Sequence, residues 1–132
     1  MTRFVTAVIA LSLLTTAPAL AAWDPPAFAK ESTLEFLTVG PSEGEHWSTV
    51  WLVVIDGQLY IRLGSRAAAR MEQNTTTPYV KLRIAGQQFD RVKAEPAPDK
   101  VDQVAAAMAD KYWSDFMVRH LNHPLTMRLT PQ

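Results

Sequence analysis

A chain of 132 residues, 48% of them apolar, with 13 basic and 13 acidic side chains and no cysteine, has the composition of one globular domain rather than a disordered or multidomain protein. Balanced charge argues against a main partner of nucleic acid, because affinity for a phosphate backbone needs a clustered cationic excess. The missing thiols exclude disulfide scaffolds, thiol redox motifs, iron–sulfur clusters and thiolate zinc sites.

Residues 1–21 read as a signal peptide. Met1-Thr2-Arg3 gives a basic start, Phe4 to Thr16 is apolar apart from hydroxyl side chains, Pro18 breaks the helix, and Ala19-Leu20-Ala21 has the small-x-small pattern of a cleavage site. The alternative, an uncleaved anchor, would need this run to span a bilayer, and it barely reaches that length. Cleavage removes one charge, Arg3, and leaves no stable membrane anchor. No twin arginine precedes the apolar run, so the expected route threads an unfolded chain across the inner membrane into the periplasm.

Residues 22–33, with Pro25-Pro26 and no sustained periodicity, read as an extended leader, and residues 34–132 as the domain. Leu34 to Val39 alternates as a short strand, and Gly40 to Glu45 is a turn by composition. Trp47 to Ile55 is dense in β-branched and aromatic residues. Trp47, Thr49, Trp51, Val53 and Ile55 share one face and Val50, Leu52 and Val54 the other, and a strand apolar on both faces is central. Asp56-Gly57 then separates it from Gln58 to Leu63, the pair that a type I′ hairpin turn prefers.

Ser65 to Asn74 reads as a short helix capped by Ser65 and stopped by Asn74 and Thr75-Thr76-Thr77-Pro78. Tyr79 to Ala85 and Gln88 to Glu95 form a second hairpin through Gly86-Gln87. A longer helix from about Asp99 to Trp113 carries an apolar stripe of Val101, Val104, Ala105, Met108 and Tyr112. Leu125, Met127 and Leu129 alternate in a last strand. Strand, hairpin, helix, hairpin, helix, strand predicts an α+β domain in which a mostly antiparallel sheet of about six strands closes into a small barrel, with one short and one longer covering helix.

The strongest candidate site is the cluster Arg62, Ser65 and Arg66, with Arg70 one turn further along the helix. Guanidinium forks, a hydroxyl and the free N–H groups of a helix N-terminus converge as a phosphate requires. The alternative is a solvated basic helix balanced by Glu72 and neighbouring acids. His120 and His123, three apart, with His46 and Glu43 or Glu45 from a loop, have metal-compatible spacing, but Pro124 breaks the common helix face, and no metal is expected. Trp47 and Trp51 are in phase on one strand and either line a pocket or, as is commoner, fill the barrel. There is no Gly-x-Ser-x-Gly elbow for nucleophilic catalysis. Asn74-Thr75-Thr76 matches a glycosylation acceptor.

Thr49 to Val54, then Asp56 to Arg62, then Ser65-Arg66 opening a helix that ends at Asn74, resemble the FMN-binding split β-barrel superfamily, which includes pyridoxamine 5′-phosphate oxidases and deazaflavin-dependent nitroreductases. Ala109 to Trp113 followed by Thr126 to Pro131 is similar to a bacterial family of unknown function with split-barrel character. The resemblance implies a cofactor groove with the phosphate held near the third strand and the following helix. Arg62, Ser65 and Arg66 would take the phosphate, and Trp51 would lie near the ring or the groove wall. FMN or a deazaflavin would be the cofactor, flavin oxidoreduction the activity, and a homodimer the assembly. Flavin-binding relatives often place a lysine where Ala67, Ala68 and Ala69 stand. The alternative is therefore a non-catalytic periplasmic barrel that has lost the cofactor and binds a small ligand or another envelope protein.

Overall fold

The computed structural model describes residues 22–112 and 125–132. The readings made for residues 1–21, for Trp113 and for His120 and His123 lie outside them. In chain order the elements are α1 (Pro25–Phe28), β1 (Thr33–Gly40), β2 (Gly44–Ile55), β3 (Gln58–Leu63), α2 (Ser65–Gln73), β4 (Tyr79–Ile84), β5 (Gln87–Pro96), α3 (Val101–Lys111) and β6 (Leu125–Pro131), with a 3-10 turn at Pro98–Lys100 before α3.

The strands close into a barrel in the order β1-β2-β3-β6-β5-β4, and every neighbouring pair is antiparallel. The expected six-stranded antiparallel barrel is therefore the architecture found. Two turns show how local sequence sets the register. Asp56 and Gly57 take φ of +50° and +73°, as the expected I′ turn requires, and Ala85 and Gly86 repeat the arrangement at +53° and +72° between β4 and β5. The β4–β5 pairing shifts register between Val80 and Leu82, which lets the bulged strand bend around the barrel.

Alternation then sorts the side chains. Leu34, Phe36, Leu52, Leu59, Ile61, Leu63, Leu82, Val92 and Leu129 fill the interior and are shielded from water. The inner surface of α2, Ala67, Ala68 and Met71, packs against this interior cluster. A second cluster lies on the other face of β2 and β3, where Val53 and Tyr60 meet Val104 and Met108 of α3, with Trp51, Ile55, Ala107 and Tyr112 at its margin.

Three local expectations are corrected. The leader is not wholly extended: Pro25–Phe28 forms one helical turn, and Phe28 is buried in the interior cluster. There its ring meets Trp23 and Phe89 edge to face at 5.4 and 5.9 Å. Proline fits the first turn of a helix, so Pro25-Pro26 starts this one instead of preventing it. In α3, Val101 is 45% exposed, while Val104 and Met108 carry the stripe and Ala107 joins it. The 3-10 turn at Pro98–Lys100 takes the place of the expected first helical residues and leaves Val101 at the open end. Ser65 is not the cap of α2 but its first helical residue, and Gly64, in extended geometry, holds the cap position.

Asn74, expected only to stop α2, is buried and joins three elements. Its side-chain carbonyl accepts from Val39 N–H at 2.9 Å and from the Thr76 hydroxyl at 3.0 Å, and its amide donates to the Tyr79 carbonyl at 2.9 Å. An amide enclosed and engaged in this way does not present a glycan acceptor.

Candidate functional site

A cavity of about 530 Å³ opens where β2 and β3 meet the first turn of α2 and Met108 of α3. Thr33, Thr49, Val50, Trp51, Arg62 and Gly64 line it, together with Ser65, Arg66, Ala67 and Met108. All four residues singled out for a cofactor, Arg62, Ser65, Arg66 and Trp51, are thus brought to one cavity, with a volume within the range of about 300–1,000 Å³ usual for small-molecule sites.

The cationic end is built from two directions. Arg62 leaves the outer face of β3, because it alternates with the inward Ile61 and Leu63, and it is half-buried opposite Thr126 of β6. Arg66 and Ser65 come from the exposed first turn of α2. Glycine at the cap position has no side chain to take the first-turn N–H groups, and Ala68 N–H is the donor that reaches the Gly64 carbonyl, at 2.9 Å. The N–H groups of Ser65, Arg66 and Ala67 therefore stand at the cavity end without a side-chain cap, in the positive half of the helix dipole.

Arg70 does not join them. Its guanidinium grips Glu43 of the β1–β2 turn in a forked pair, at 3.2 and 3.1 Å, and His46 Nδ1 lies 3.4 Å from the same carboxylate. The bond from Arg70 is the main reason that the Glu43 carboxyl stays below its ordinary value. Glu43, not Glu72, balances this part of the helix. Among the described residues no group of three His, Asp or Glu side chains converges as a metal site.

The apolar side of the cavity is Val50, Trp51, Ala67 and Met108. Trp51 shares a face with Val53 and not with Leu52, so it lies outside the barrel interior. This corrects the expectation that it fills the barrel. Its ring stacks on Tyr112 with centroids 4.4 Å apart and planes 5° from parallel. Trp47, in phase with it, is instead covered by Arg83, whose guanidinium carbon sits 3.9 Å from the ring centroid.

Beside the cavity lies a contact that sequence reasoning missed. The last β1–β2 pair is Thr33 with Trp51, so Leu52 has no β1 residue opposite. The Tyr112 hydroxyl occupies that gap. It accepts from Leu52 N–H at 3.2 Å and lies 2.7 Å from both the Leu52 and Ser32 carbonyls. Lys111 Nζ donates to Leu52 and Glu31 carbonyls at 3.1 and 2.6 Å. Burial raises the Tyr112 pKa, against the effect of its bond to Leu52, and burial lowers that of Lys111. Adjacent Lys and Tyr at the end of an apolar stripe were the available signal.

No protein-family profile and no curated protein sequence matches the chain. Solved structures do. The haem storage protein HutZ of Vibrio cholerae is similar with a TM-score of 0.62 and 20% identity, over 81% of this chain and 87% of that one. The protein Atu2129 of Agrobacterium tumefaciens, of unknown function, gives 0.64 and 20% over 84% of this chain, which spans 52% of its length. An F420-H2-dependent reductase gives 0.55 and 10% over 76% of this chain and 94% of that one. The likeness to these structures, with the closed barrel, shows that this chain shares their split β-barrel fold.

Proposed function

We propose that the cavity beside α2 binds a phosphate-bearing flavin-type cofactor, FMN or a deazaflavin, and that the protein is an oxidoreductase of the split-barrel type. The observation that carries this reading is the convergence of Arg62, Ser65 and Arg66 with an uncapped helix N-terminus at one end of a cavity whose other wall is aromatic and apolar. The donor set fits the group: two guanidinium forks, a hydroxyl and backbone N–H groups suit a phosphate dianion. Trp51, Val50 and Met108 suit a planar ring system with little polar surface.

When bound, such a cofactor supplies the electron chemistry, and the protein supplies binding, orientation and the surrounding field. Arg62 and Arg66 approach from different elements, so a phosphate held by both is fixed in position as well as neutralised. Trp51 would offer an aromatic wall to the ring of such a cofactor. The likeness to an F420-H2-dependent reductase supports the nucleotide reading.

A specific observation favours a second reading. Ala67 lines the cavity where flavin-binding relatives often carry a lysine, and a haem storage protein is among the similar structures. In that reading the barrel binds a ligand without redox turnover. Titration of the purified protein with FMN, with a deazaflavin and with haem, followed by ligand absorbance and fluorescence, separates the two. Saturable micromolar binding of FMN or deazaflavin, weakened about 10-fold in Arg66→Ala, supports the first. Haem binding alone, or no binding, replaces it with the second.

The N-terminal pattern supports a periplasmic location, and a domain-swapped dimer among the similar structures supports a homodimer. Fractionation of cells expressing the full chain tests the first, and sedimentation of the purified protein with and without FMN tests the second.

A further inference from the structure

We propose that Tyr112 is a positioning residue for the cavity: its ring sets the plane of Trp51 in the wall, and its hydroxyl fixes that plane to the backbone where β1 begins and β2 runs on without a β1 partner. For its ligand readout the inference rests on the flavin-type reading above.

The geometry makes one side chain do both things. Antiparallel pairing with β1 ends at Thr33 and Trp51, so the Leu52 N–H and C=O on that side would meet no strand. Backbone polar groups left without partners are costly in a half-buried place. A phenol hydroxyl both donates and accepts, and here it reaches an N–H and two carbonyls at 3.2, 2.7 and 2.7 Å. Ser32 is the residue before β1 and Leu52 the residue after Trp51, so the hydroxyl ties together the two segments that flank the Thr33–Trp51 pair. Lys111 repeats the tie one residue away, through Glu31 and the same Leu52 carbonyl.

With the hydroxyl pinned, the ring has little freedom, and it lies parallel to the Trp51 indole at stacking distance. Trp51 borders the cavity and Tyr112 does not. The indole surface that faces a ligand is therefore not the face covered by the phenol. Tyr112 acts through Trp51 and touches no ligand itself.

The test uses protein labelled with fluorotryptophan, in which each of the 4 indoles gives its own fluorine resonance and Trp51→Phe assigns the one needed. Tyr112→Phe keeps the ring and removes the tie. Its Trp51 resonance is expected to broaden or shift, its Leu52 amide to exchange faster, and its FMN affinity to fall by about 3-fold, the lower end of what an aromatic pair contributes. Tyr112→Leu removes the stack as well, moves the resonance further and weakens FMN by about 10-fold, the upper end of that range. A purely structural role would lower the melting temperature of both variants while leaving the Trp51 resonance and the FMN affinity at parental values, and that result overturns the proposal. If Tyr112→Leu does not fold, Tyr112→Phe alone decides by the same criteria. A parent that binds no FMN defeats the flavin reading, and the resonance and exchange measurements then decide the positioning role by themselves.

Discussion

The two sides of the β2–β3 hairpin are built from the same kinds of residue and do different work. Leu52, Leu59, Ile61 and Leu63 face inward and join the apolar cluster built by strands all round the barrel and by α2. Trp51, Val53, Tyr60 and Arg62 face outward, where α3 covers Val53 and Tyr60 but leaves Trp51 and Arg62 bordering a cavity. A closed sheet has no room inside for a ligand once its inward side chains interdigitate. Among the described residues α3 covers part of this face, and the cavity beside it is where polar chemistry can sit. Stability is thereby assigned mainly to the inner face of these two strands and binding mainly to the outer one, with Val50 of the inner face reaching the cavity.

Interior truncation should give the largest effect. Phe36→Ala removes a fully buried ring and should cost about 3–5 kcal/mol in denaturant unfolding, with the cavity it leaves adding to the lost burial. An effect below 1 kcal/mol, on the order of a surface change, would show that the interior is not the seat of stability. On the outer face Val104→Ala, also buried, should cost about 2 kcal/mol, because fewer methyl groups are lost from a one-sided contact. Asn74→Ala tests whether a polar node rivals apolar packing. It strips partners from Val39 N–H and the Tyr79 carbonyl, for about 1–3 kcal/mol in the same assay.

Arg66→Ala should invert the pattern. The side chain is exposed, so unfolding should shift by less than about 0.5 kcal/mol. Binding of a phosphate-bearing flavin should weaken by about 10-fold, the worth of one charge-assisted hydrogen bond. Equal losses of stability and binding would erase the division between the faces. The smallest effect belongs to Glu43→Gln, at the exposed pair with Arg70. Because Arg70 holds the Glu43 carboxyl below its ordinary 4.5, its contribution is present above that pH and lost as pH falls through the lowered value. Parent and variant melting temperatures should differ slightly at neutral pH and converge in acid.

The barrel was legible because it depends on local signals. Alternation, Asp56-Gly57 and the Thr-Thr-Thr-Pro break each speak for a few residues, and together they set the order of elements. The phosphate-type cluster was legible for the same reason, since Arg62, Ser65 and Arg66 fall within one strand-to-helix junction. What escaped was the choice of face for Trp51. With Val50, Leu52 and Val54 apolar on one side and Trp51, Val53 and Ile55 on the other, alternation cannot say which side is inward. The Glu43–Arg70 and Tyr112–Leu52 contacts escaped for a different reason: residues 27 and 60 positions apart are matched by the closed topology, and no spacing rule connects them. Phe28 escaped because a one-turn helix is too short to show a period.

The place of β6 in the sheet has a consequence for biogenesis. It is the strand that lies between β3 and β5, hydrogen-bonded to both, yet every other strand precedes it in the chain. A nascent chain emerging from a ribosome or a translocation pore can form the β1–β2–β3 meander and the β4–β5 hairpin, but these halves stay open on the β3 and β5 sides until residues 125–131 arrive. The seam is sealed by insertion, not by propagation from one end. A chain in which β6 closes the gap between β3 and β5 leaves those two edges unpaired until this strand docks.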